Sequence, residues 1–186
     1  MNRSKQVPEN LDDFLKAFAE AFLAWQGVES NLFLIYNFLV GPDPNPALLS
    51  AKYNSVWPLN SHRKMVDDAA ADVLKNNKCS LKEWEGLSRK ISDGADRRNK
   101  LAHFELAYHT DADGKTKALL RPSIFKSKIK TNKKYEEYEE YDIKQIREWE
   151  MSFHSIADGL SRFLNDLPAA RRLARAQDAE VSCQTP

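Results

Sequence analysis

From Asn10 to Val40 the chain carries no proline, and its large apolar side chains return every three or four positions. Phe14, Phe18, Phe22 and Trp25 fall on one helical face, and Leu32, Ile35 and Leu39 continue it. Leu15, Leu23, Phe33 and Phe38 spread the apolar surface beyond that face. A long helix with so wide an apolar surface must bury itself against more than one neighbour. The spacing therefore predicts a helical architecture in which this segment is central to a bundle or buries a second face in a partner. Asn10 suits its N-cap, Asp12 and Asp13 complement the positive end of its dipole, and Gly27 is where it can bend.

Gly41-Pro42-Asp43-Pro44-Asn45-Pro46 ends that helix, because alternate prolines cannot continue it. A short helix is expected from Pro46 to Val56, closed by Pro58, and a third from Ser61 to Asn76 with Met65, Ala69, Val73 and Leu74 as its stripe. Ser80-Leu81-Lys82-Glu83 reads as a capping box opening a fourth helix that ends near His103. Phe104, Leu106 and Tyr108 then alternate with Glu105, Ala107 and His109, Asp111 to Gly114 reads as a turn, and Thr116 to Arg121 returns as a second strand. Lysines crowd residues 126–134 and tyrosines alternate with paired glutamates over 135–141, a solvated loop or a late hairpin strand. Asp142 to Gln145 caps the last helix, whose apolar face runs from Ile146 to Leu167, with Pro168 as its expected stop. The expected fold is mainly α: an antiparallel four- to five-helix bundle with a β-hairpin inserted before the last helix.

With 186 residues, 42% of them hydrophobic and 30% charged, one such core needs no covalent staples. The expected organisation is a disordered N-terminus over 1–9, a single helical domain over 10–167 and a polar, partly disordered tail over 168–186. A net charge of +1 supplies no global field toward nucleic acid or a membrane, so any polyanion site must be local. Cys79 and Cys183 are the only cysteines, which suggests neither a disulfide framework nor zinc, and a cytoplasmic setting is expected. The N-terminal residues lack the apolar stretch of a signal peptide, and the apolar run Leu32 to Val40 is too short to span a membrane.

No glycine-rich phosphate loop, metal-ligand cluster or nucleophile elbow is present, so no cofactor or metal is expected. The segment with the most chemistry is Asp96-Arg97-Arg98-Asn99-Lys100-Leu101-Ala102-His103. Its arginine, adjacent polar residue and histidine after four intervening positions resemble the signature of the HEPN superfamily, and the order of long helix, short β element and closing helix matches as well. Arg147 and His154 give a similar spacing, but there the arginine precedes a glutamate in mid-helix.

The resemblance implies a metal-independent endoribonuclease in which a ribose 2′-OH attacks the neighbouring phosphodiester. Arg98 would hold the phosphate charge, His103 would move the proton and Asn99 would orient substrate or His103. Arg97 and Lys100 are candidate substrate-binding residues. An acidic or polar residue on the first helix recurs in some HEPN families, which would turn Glu29 toward the site, but a surface glutamate is the preferred reading of it. On an ideal helix Asn99 and His103 share a face, whereas Arg98 and His103 stand about 140° apart. Arg98 must then reach round, the helix must loosen, or a second copy must complete the site. The resemblance therefore implies a homodimer, RNA as substrate, an antitoxin or regulatory protein as partner, and toxin–antitoxin or phage-defence settings. Its alternative is a non-catalytic module binding RNA, nucleotide or protein.

Overall fold

The computed structural model describes residues 8–41, 45–56, 59–122 and 139–183, with backbone alone for residues 46 and 171–183. Among them are α1 (Leu11–Val40), α2 (Pro46–Asn54), α3 (Leu59–Val73), α4 (Lys78–His103), β1 (Phe104–Thr110), β2 (Thr116–Pro122) and α5 (Ile143–Cys183). The protein is mainly helical, with an antiparallel hairpin before the last helix, as expected. The lysine run at 126–134 and Tyr135 and Tyr138 lie outside the described residues, as do residues 1–7. Among the described residues no helix is long and apolar enough to cross a membrane.

Contacts divide the chain into two units, Met1–Trp25 with Asp96–Phe153, and Gln26–Ala95 with His154–Pro186; α1, α4 and α5 contribute to both. In the first unit Phe14, Ala17, Ala21, Ala24 and Trp25 of α1 are buried, together with Leu101, Ala118, Leu120, Ile146 and Phe153. Phe18 and Phe22, expected in the main seam, are only half-buried. The alanines take that seam because small side chains admit close neighbours, and Trp25 meets Phe153 edge-on at 5.0 Å.

Both α1 and α5 start at the hairpin. Asn10 does not turn its carboxamide back to cap α1; its Oδ1 accepts the Ala118 amide at 2.9 Å. Tyr141, just before α5, exchanges two backbone hydrogen bonds of 2.9 Å with Leu120. The two helices consequently run in the same sense in this unit, Glu20 meeting Arg147 and Trp25 meeting Phe153. This departs from the antiparallel order expected of neighbours. Helix α4 does oppose α5, with Lys100 at Tyr141 and Arg97 at Ser152.

In the second unit the cores of α1 and α5, Leu32, Ile35, Leu39, Leu160, Phe163 and Leu167, are buried with Trp84 and Ile91 of α4. The stripe of α3 is Val66, Ala70 and Leu74 rather than Met65, Ala69 and Val73, which flank it half-buried. Both sets have helical spacing, and only the neighbours decide between them. Asn37 accepts the Gly41 amide at 3.1 Å, and Gly41 takes φ 92°, the left-handed conformation that closes a helix at low cost.

Helix α2 ends at Asn54 and α3 runs from Leu59 to Val73, within three residues of the expected bounds, and two other helix ends differ for a visible reason. Helix α4 starts at Lys78, where Asn77 Oδ1 accepts the Ser80 amide at 3.1 Å; Asn77 is as good a cap as Ser80 and comes first. Helix α5 does not stop at Pro168 but continues to Cys183. A proline removes one amide and crowds one carbonyl, yet Ala169 to Arg175 are strong helix formers, alanines, arginines and a leucine, that carry the helix on. The reciprocal box at the start of α5 is as expected: Gln145 N–H donates to Asp142 at 3.0 Å, and Asp142 N–H to Gln145 Oε1 at 2.8 Å.

Candidate functional site

The segment from Asp96 to His103 is the last part of α4, and α4 remains α-helical through His103. No loosening brings Arg98 onto the face of His103, so the offset of about 140° persists. Asn99 and His103 are exposed, four residues apart on one face, and Arg98 is half-buried. Among the described residues the His103 side chain has no hydrogen-bond or ion-pair partner, and it stands where the helix presents the negative end of its dipole.

The flanking cations are engaged by protein. Arg97 is half-buried, and its Nη1 donates to Ser152 Oγ on α5 at 2.8 Å. Lys100 donates to Glu139 at 3.0 Å and to the Tyr141 hydroxyl, and its ammonium sits 4.6 Å from the centre of the Tyr141 ring. The Tyr141 hydroxyl in turn donates to Glu139 at 2.5 Å. The ring also lies 4.7 Å from Trp149 and 5.8 Å from Phe104. Lys100, Glu139 and Tyr141 thus form one cluster joining the end of α4 to the start of α5.

Each member titrates accordingly. Burial pulls the Lys100 amine down, but hydrogen bonds to Tyr141 and Glu139 outweigh it and hold the amine above its usual value. Donation from Tyr141 and Lys100 holds the Glu139 carboxylate below its usual value. Burial, then the bond to Glu139, pushes the Tyr141 hydroxyl up. Sequence reading did not pair these residues, which stand 39 and 41 positions apart. Tyr141, in the stretch expected as a solvated loop or a late hairpin strand, bridges to Leu120 and packs against Trp149 and Phe104.

The competing pair on α5 is excluded on chemical grounds. The Arg147 guanidinium bonds Glu20 and Glu150, the latter at 3.0 Å, and those carboxylates raise its pKa further. An arginine so neutralised has little charge left for a phosphate. Glu29 is half-buried in the second unit. Its negative charge adds to the main effect, burial, in pushing the Tyr53 hydroxyl far above its ordinary range.

Two further polar features were not read from the sequence. In the second unit, Asp67 of α3 accepts from Trp84 Nε1 at 2.9 Å and Ser88 Oγ at 2.8 Å on α4, while Arg63 reaches Asp67 at 3.3 Å and Ser88 at 2.9 Å. In the first, a cleft of about 410 Å³ opens beside β2, with His109 standing 3.9 Å from Glu140. Its lining mixes Glu9, Glu140 and Asp142 with Lys115 and Lys117 and favours neither sign of ligand. Among the described residues no three His, Cys, Asp or Glu side chains are grouped to hold a metal ion. Comparison with family models, with curated proteins and with solved structures gave no match.

Proposed function

We propose that this chain is a HEPN-type, metal-independent endoribonuclease that acts as a homodimer on RNA. The observation that carries the reading is the end of α4: His103 exposed and without a protein partner among the described residues, Asn99 on the same face, and Arg98 one position before it. In the reaction the 2′-oxygen bonds to phosphorus, the bond to the 5′-oxygen breaks, and a 2′,3′-cyclic phosphate and a 5′-hydroxyl result. His103 transfers the proton, Arg98 balances the charge of the phosphorane, and Asn99 positions the substrate. Because α4 stays helical to its end, Arg98 and His103 of one chain diverge, and a second copy supplies the missing half across a two-fold axis. A helical bundle, a cytoplasmic setting, and a toxin–antitoxin or defence role with a regulatory protein belong to the same proposal.

The alternative, a non-catalytic module, has an observation of its own. Arg97 and Lys100, the candidate substrate-binding cations, are already held by Ser152 and by Glu139 with Tyr141. That is the pattern of residues that hold a helix end in place. Cleavage of single-stranded RNA in EDTA separates the two readings. Wild type should cleave, and both His103→Ala and Arg98→Ala should lose at least about 100-fold, the lower range for a lost acid–base group. Mixing the two variants should restore part of the activity if the site is shared between copies. Equal cleavage by all three proteins would sink the ribonuclease reading. RNA binding that survives His103→Ala, with no product from wild type, would establish the module instead.

A further inference from the structure

The hairpin has two outer edges, and among the described residues only that of β2 meets a partner. Leu120 exchanges both of its backbone hydrogen bonds with Tyr141, so its N–H and C=O point away from β1. Successive residues of a strand alternate direction, so those of Ala118 point the same way, and Asn10 takes the Ala118 amide. The edge of β2 is thus covered. In the register that pairs Leu106 with Leu120 and Tyr108 with Ala118, the residues opposite turn outward too. The N–H and C=O groups of Leu106 and Tyr108 therefore face away from β2, as do those of Phe104 and Thr110. Among the described residues no backbone partner meets them.

This edge lacks two of the usual protections. Strand β1 holds no lysine and no proline, and Leu106 and Tyr108 are 40% and 49% exposed. It is also complementary to itself. When two copies of β1 pair antiparallel about Ala107, Leu106 of each faces Tyr108 of the other, and Glu105 faces His109. Leu106 and Tyr108 are among the outward-pointing residues, as a hydrogen-bonded pair requires. Shifting the register by two in one direction sets Glu105 against Asp111, and in the other sets His103 against His109. Only the register centred on Ala107 sets a carboxylate against an imidazole and joins apolar side chains at once.

We infer that β1 is a self-association edge through which a second copy of this chain extends the hairpin into a four-stranded antiparallel sheet. The inference stands apart from the ribonuclease reading. In this register the two copies of His103 lie at opposite ends of the joined strands, about 27 Å apart at the rise of an antiparallel strand. The contact is therefore separate from any that would face two motifs across one cleft.

Sedimentation velocity of the full chain over a concentration series tests it, together with register-specific crosslinking. Tyr108→Lys and Leu106→Pro should each weaken self-association at least tenfold with an unchanged circular dichroism spectrum. The proline removes an amide that the β1–β2 ladder does not use. In a background with Cys79→Ser and Cys183→Ser, oxidised Ala107→Cys should form a disulfide-linked dimer, since facing residues of a non-hydrogen-bonded pair approach within disulfide reach. Glu105→Cys, whose counterpart lies elsewhere, should not. A wild type that stays monomeric throughout would overturn the inference, as would a dimer indifferent to both edge variants or equal crosslinking from both cysteines. A dimer indifferent to the edge variants leaves the ribonuclease reading intact, whereas a wild type that stays monomeric counts against its homodimer as well.

Discussion

Asp67 is the residue on which the polar contacts between α3 and α4 converge. Its carboxylate accepts from the indole of Trp84, the hydroxyl of Ser88 and the guanidinium of Arg63. Trp84 is 1% exposed and Ser88 6%, so neither has water to turn to if the carboxylate is removed. Asp67→Ala should destabilise the protein by about 2–3 kcal/mol, the penalty for stranding buried donors rather than the net worth of one bond. Urea unfolding reads this as a lower midpoint with an unchanged slope. A loss below about 0.5 kcal/mol, the range of ordinary surface substitutions, would mean that Asp67 is not the anchor it looks to be. Nothing in the sequence around Asp67 announced this role. Arg63 and Asp67 stand four apart, a common surface pair, and the partners that make Asp67 important lie 17 and 21 positions on.

Among the elements, α5 is the most unusual, since it carries Pro168 in its interior. The missing amide and the crowded carbonyl of Leu164 disfavour an interior proline by about 3 kcal/mol relative to alanine. Pro168 is exposed. Pro168→Ala should stabilise the protein by about 1–3 kcal/mol and raise its helical signal, both measurable by thermal unfolding followed at 222 nm. If the helix instead broke at Pro168, the substitution would change stability little, and that result would refute the continuous helix. The caps were legible in part. The Asp142–Gln145 box needs only four consecutive residues and was plain in the sequence. At α4, by contrast, Asn77 and Ser80 are both competent caps, and local chemistry alone does not rank them.

In the first unit Lys100, Glu139 and Tyr141 join the α4–α5 corner, and this corner makes the stability of the protein depend on pH. Glu139 has a lowered folded pKa, so its contribution is present above the ordinary carboxylate range and is lost as pH falls through the folded value. Lys100 and Tyr141 have raised values, so their contributions hold below their ordinary pKa and fade as pH rises through the folded ones. The stability difference between wild type and Glu139→Gln should be present at neutral pH and close in acid, below about pH 4. It should be small, because Glu139 is largely exposed and water screens the pair. A gap independent of pH would show that hydrogen bonding alone, not charge, makes the contact. The sequence by itself determined the helices, the hairpin and the place where α4 ends at His103, because periodicity, turn residues and caps act over a few neighbouring positions. It marked Arg98, Asn99 and His103 as a candidate site for the same reason: one helix end holds all three. Only the tertiary structure decided which stripe of α3 is buried, that Asn10 serves the hairpin instead of its own helix, and that Lys100 is bound to Tyr141. Each of those choices sets equivalent local options against each other, and the energy that separates them comes from side chains distant in sequence.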